Sequence, residues 1–281
     1  MTGFDFRRLR HRWEMPMIWL SGIVTLAALL LAASVLTISE SEMQEMFGED
    51  AEAIGDTAFN IMLILALPLA LYIYRFYYAA KAKANAIRVG PRQLPELWAL
   101  YEDIGQRLEM KRLPKLYVTN GNGVVNAYAL SCNRRHKYVV LHAETVLAMK
   151  DTPEIVEFVL AHELAHHKLG HVALWRLVIG FLPNLLVPLG LTTSRAQEYS
   201  ADRVAHKVCD HHGPAMKLLA IGPWMTQDVD ADAWLDQCVE DRREWSVRAA
   251  NLLSGHAVMS KRYKALRDID AKGYDVHGDM L

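Results

Sequence analysis

Residues 152–171 read TPEIVEFVLAHELAHHKLGH, and the chemistry of the chain is concentrated there. Thr152 followed by Pro153 has the form of a helix start, because proline suits the first turn, where its missing N–H has no partner to lose. Ile155, Phe158, Val159, His162, Leu164 and His166 then fall in the body of one helix. Residues four apart share a helix face, so His162 and His166 can aim both imidazoles at one metal, with Glu163 one step round to take a proton from an attacking water. HExxH arises by chance in roughly one of a few tens of chains of such composition, so its context has to carry weight. Two histidines and a carboxylate among Phe158, Val159, Leu160 and Leu164 are costly to bury without partners. A merely amphipathic helix is therefore the weaker reading.

A catalytic zinc takes three protein ligands and leaves one position open. The extended pattern HExxHxxGxxH is not met: Leu169 stands at its glycine and Val172 at its last histidine. His171 comes one residue early, turned away from the ligand face of a continued helix. Downstream, SRAQEYSADRVAHKV (194–208) has helical character and repeats the four-residue spacing in Glu198 and Asp202. One carboxylate there serves as third ligand, assigned to Glu198, and the other, Asp202, orients a ligand histidine from behind.

The rest of the chain bounds this reading. Its 281 residues leave room for one domain beside its apolar segments. With a net charge of -1 there is no electrostatic footprint for nucleic acid. The three cysteines, Cys132, Cys209 and Cys238, are far apart and form no CxxC pair, which argues against disulfides and against a cysteine-ligated zinc. Residues 17–38 carry no charge and would cover about 33 Å as a helix, enough to cross a bilayer. They run into the acidic SESE without a cleavage site, as a signal anchor does. Residues 58–74 are expected as a second span, ending in an aromatic cluster suited to a membrane interface. Arg7, Arg8, Arg10 and Arg12 precede the first span, and Arg75, Lys81, Lys83, Arg88 and Arg92 follow the second. Residues 40–57 between them hold no Lys or Arg, so both termini and the catalytic domain are expected on the cytoplasmic side.

The expected organisation is an N-terminal membrane anchor over 1–90 and an α+β, mainly helical catalytic domain over 91–281. LPELWALYEDIGQRLEM (94–110) has helical spacing, and KLYVT, VVNAYALSC and KYVVLH read as short strands with a turn at Asn133 to His136. The apolar stretch 172–193 would put His166 and Glu198 on opposite sides of the membrane if it crossed fully. Pro183 and Pro188 instead suggest a broken hairpin, either dipping into the membrane or capping the core.

In order and spacing, LPELWALYEDIGQRLEM with LPKLYV, NAYA (126–129), AHELAHHKLGH, SRAQEYSAD and SGHAVMSKRYKAL (254–266) resemble the M48 peptidases over most of 91–267. The resemblance implies a gluzincin-type metalloprotease fold with a short β-sheet, one Zn2+ per chain on His162, His166 and Glu198, and Glu163 as base. It also implies that Asn126, Ala127 and Tyr128 lie on an edge strand that binds a polypeptide substrate by strand addition. His256 falls at a position tied to oxyanion stabilisation, although Ala257 replaces the family's proline. Arg262 fits the pattern without a definite role.

The expected function is thus a membrane-anchored zinc endopeptidase acting on membrane or misfolded proteins, with a bacterial inner membrane as the expected location. The alternative from another class is a proteolytically silent chaperone or adaptor on a protease-like fold, which substitution at Glu163 or Glu198 would have favoured. A transporter is disfavoured, because neither span carries an ionisable residue. Oligomeric state leaves no mark in the sequence.

Overall fold

A computed structural model describes residues 4–150, 152–185, 189–209 and 212–280. The protein is mainly helical, with a small mixed sheet. Helix α1 (Glu14–Thr37) and helix α3 (Ala51–Ala84) are long and apolar enough to cross a membrane. Between them, α2 (Glu40–Phe47) starts in a capping box in which Ser39 and Glu42 satisfy each other's backbone N–H groups. The expected second span is the middle of a longer helix. With 34 residues, α3 continues past the apolar run, and Ala79 near its end packs on Tyr117, Tyr138 and Val140 of the sheet.

The sheet has the order β1-β2-β4-β3, from strands β1 (Ala86–Arg88), β2 (Lys115–Thr119), β3 (Ala127–Ser131) and β4 (Lys137–His142). β2 and β4 run parallel, while β1 and β3 are antiparallel to their neighbours. Val139, Val140 and Leu141 bury the centre of β4, and β3 is left as an edge. β1 escapes sequence reading because it is three residues long and mostly exposed, so it lacks a periodic signal. At the β3–β4 turn the Asn133 carboxamide oxygen accepts from the backbone N–H groups of Arg135 and His136, as expected of an asparagine turn.

The remaining helices are α4 (Pro95–Arg107), α5 (Ala143–Leu147), α6 (Pro153–Leu169), α7 (Leu174–Leu185), α8 (Leu189–Val208), α9 (Gly213–Ile221), α10 (Ala231–Asp241), α11 (Trp245–Leu252) and α12 (Met259–Lys272). α6 is the central element, packed by α4, α8, α9 and the sheet. Ile155, Val156, Phe158, Leu160, Ala161, Leu164 and Ala165 are buried around its whole circumference. All three cysteines are buried, and none of them forms a disulfide.

The described part of the stretch 172–193 contains α7 and the first turn of α8. Pro188 lies outside the described residues, and Pro183 does not break the chain where expected: α7 runs through it to Leu185. A proline inside a helix strips the carbonyl four residues back of its donor. That carbonyl, on Ile179, accepts instead from the Thr25 hydroxyl of α1 at 2.8 Å. A side chain of a neighbouring helix thus takes the place of the missing donor. α7 packs against both α1 and α3.

Candidate active site

α6 and α8 lie side by side and supply the site from facing turns. His162 and His166 bring their Nε2 atoms to 3.1 Å of each other. Glu198 Oε2 is 3.4 Å from His162 Nε2, and Glu198 Oε1 is 3.5 Å from His166 Nε2. Tetrahedral bonds of about 2.0–2.1 Å require donor atoms about 3.3 Å apart. Two imidazoles and a carboxylate with these separations fit a zinc ion in both chemistry and spacing. The sequence-predicted ligand set is therefore brought together, and all three side chains are largely buried.

Behind His162 stands Asp202, one turn after Glu198 on α8, with Oδ1 2.9 Å from His162 Nδ1. Arg262 of α12 clasps Asp202 through two hydrogen bonds, Nη2 to Oδ1 at 2.6 Å and Nε to Oδ2 at 2.8 Å. Its Nη1 lies 3.5 Å from Glu198 Oε2. Burial alone would raise the Asp202 carboxyl, but the Arg262 guanidinium and His162 together outweigh it and hold Asp202 below the usual range. Burial likewise opposes ionisation of Glu198, yet its contacts with His162 and His256 keep it well below the ordinary value. Burial pushes Glu163 up to about 7, against the pull of His162.

Arg262 had no assigned role in the sequence, because its partner lies 60 residues away and only the fold brings them together. Removing it would leave two buried carboxylates short of a cation. Arg262→Met is expected to lower the melting temperature of the detergent-solubilised protein by roughly 6–12 °C, from a loss of about 3 kcal/mol. An unchanged melting temperature would mean that Asp202 and Glu198 do not depend on Arg262.

His171 departs from its sequence reading. α6 ends at Leu169 because Gly170 adopts a left-handed φ of 75°, a conformation that favours glycine. The Gly170 N–H then donates to His167 O, and the His171 N–H to His166 O at 2.8 Å, the two bonds of a Schellman turn. The turn folds His171 back under the helix, where its Nδ1 lies 2.8 Å from His166 Nδ1. It is not a metal ligand, but it is not turned away from the site.

A cavity of about 320 Å³ opens over these residues. Asn126, Ala127 and Tyr128 line one wall, with Ala127 and Tyr128 in edge strand β3 and Asn126 just before it. His256 stands at the mouth with its side chain 74% exposed and Nδ1 3.2 Å from Glu198 Oε2. That contact raises the His256 pKa. A second group of potential ligands, His206, His212 and Asp270, reads as a clamp between α8 and α12. His206 has both ring nitrogens engaged, by the Tyr274 hydroxyl at 2.7 Å and by Asp270 at 2.9 Å.

The model of peptidase family M48 matches residues 91–185, which contain HExxH and His171 and stop short of Glu198. Protease HtpX of Pseudoalteromonas atlantica (strain T6c / ATCC BAA-1087) is 35% identical over 96 residues. The alignment covers 34% of this chain and 31% of that protein, so the chain spans about a third of the length of the curated relative it matches. No solved structure matches. Both similarities support an M48 family metallopeptidase, as the sequence motifs implied.

Proposed function

We propose that the chain is a membrane-anchored zinc endopeptidase that hydrolyses peptide bonds in unfolded or membrane polypeptides. The observation that carries this reading is the triangle of donor atoms from His162, His166 and Glu198, with separations of 3.1, 3.4 and 3.5 Å, beside a buried Glu163. Zinc held by these residues supplies Lewis acidity at the scissile carbonyl. Glu163 takes the proton of the attacking water and passes it to the leaving amine. The free edge of β3 accepts the substrate backbone as an added strand, with Ala127 and Tyr128 on the cavity wall. His256, at the mouth, is positioned to donate to the developing oxyanion.

α1 and α3 anchor the protein in the bilayer, and α7 enters it beside them. The Thr25 to Ile179 hydrogen bond supports this, since it joins α7 to the interior of α1 rather than to its end. The Arg and Lys residues flanking the two spans favour a cytoplasmic catalytic domain, as in a bacterial inner membrane.

The test is cleavage of casein by the detergent-purified protein. Activity is expected to vanish with 1,10-phenanthroline and to return on addition of Zn2+. Cleavage that persists through chelation would exclude the metal mechanism. Zinc binding without any cleavage would favour the chaperone reading.

A further inference from the structure

His166 presents its Nε2 to Glu198 and its Nδ1 to His171 Nδ1, 2.8 Å away. Two ring nitrogens in contact need one donor and one acceptor. A ligand Nε2 must keep its lone pair, which leaves the His166 proton on Nδ1 and makes His171 Nδ1 the acceptor. A neutral His171 then carries its own proton on Nε2. The group facing that atom is Glu14 Oε1 at 3.2 Å, a close contact without the alignment of a full hydrogen bond.

Glu14 belongs to the first turn of α1, at the entry to the first candidate span, yet it has no exposed surface. Its Oε1 accepts from Arg176 Nη2 of α7 at 2.9 Å and pairs with Arg10. Its Oε2 accepts from the Ser200 hydroxyl at 2.6 Å, and Ser200 sits on α8 between Glu198 and Asp202. The preceding residues are seated just as firmly. Phe6 and Leu9 join the main core, Arg10 Nη2 donates to Leu169 O at 2.5 Å, and the His11 N–H donates to Ser200 Oγ at 2.8 Å.

We propose that Glu14 and His171 form a positioning pair for the metal ligand His166, so that the segment leading into the membrane is a component of the metal centre. The inference rests on the zinc peptidase reading. It gives the two ligand histidines matching supports: His162 is backed by Asp202, which Arg262 holds, and His166 is backed through His171 by Glu14, which Arg10 and Arg176 hold. Glu14 selects the His171 tautomer that leaves Nδ1 free to accept, and so fixes the ring plane of His166. Residues 1–90, outside the stretch that matches the peptidase family, thereby bear on metal affinity as well as on anchoring.

The test uses the full-length protein in detergent and reads metal binding independently of turnover. His171→Phe leaves the Glu14–Arg10–Arg176 cluster intact and removes only the link to His166. It is expected to weaken zinc about 10–100-fold, the usual cost of losing a partner behind a ligand, and to alter the visible spectrum of the Co2+-substituted protein. The metal-free protein should melt near the wild-type temperature. His171→Asn, which restores an acceptor for His166 Nδ1, should recover most of the affinity. Should His171→Phe fail to fold, Glu14→Gln is expected to give the same loss, because its amide no longer selects one His171 tautomer. Zinc affinity within about twofold of wild type in a folded variant would overturn the proposal and leave Glu14 as a purely structural ion cluster. A wild type that binds no zinc would overturn the peptidase reading as well.

Discussion

Replacing Glu163 with glutamine is expected to leave one zinc in place and to lower casein turnover by about 10²–10⁴-fold or more. The substitution keeps the size of the side chain and removes its ability to take a proton. Glu163 lies on α6 between His162 and His166, buried and lining the cavity. Among the described residues no other acidic side chain that lines the cavity is free to replace it, because Glu198 is engaged by His162, His166, His256 and Arg262. Turnover measured under substrate saturation separates this loss from weaker binding. Wild-type turnover in the variant would remove Glu163 as the base.

The second large effect belongs to Glu198. Glu198→Ala removes the third donor and leaves two imidazoles, which cannot close a three-ligand site. Zinc affinity, read by competition with a chromogenic chelator, should fall by more than the 10–100-fold expected for partners behind the ligands. Activity should fall with it and should not be restored at ordinary zinc concentrations. Retention of tight zinc binding would mean that the metal is held by residues other than His162, His166 and Glu198.

These two expectations rest on residues that are legible without a structure. His162, Glu163 and His166, and again Glu198 and Asp202, are separated by a helical turn, and spacing of that kind survives any tertiary arrangement. The apolar helices at 17–38 and 58–74 are legible for a similar reason, since apolar runs without charge need no partner to be recognised. Their limits are not. α3 extends to Ala51 and Ala84 because polar flanks continue a helix as readily as apolar ones.

Other features depend on contacts that sequence spacing does not encode. Arg262 meets Asp202 across 60 residues, and Arg176 meets Glu14 across 162. His171 is instructive, because a helix continued through it runs two residues past the end of α6 at Leu169. Gly170 at the end of HKLG is a helix stop signal. Ending the helix there takes His171 off the helical wheel and lets a Schellman turn carry it to His166. The run through Pro183 was hidden for the opposite reason: proline usually breaks a helix, and here Thr25 on a neighbouring helix donates to the carbonyl that loses its partner.

The most direct test of the metal centre is zinc content by elemental analysis of the detergent-purified wild type beside a His162→Phe, His166→Phe double variant. One zinc per chain is predicted in the wild type and none in the double variant. A wild type without metal, or a double variant that retains its zinc, would contradict the account at its foundation.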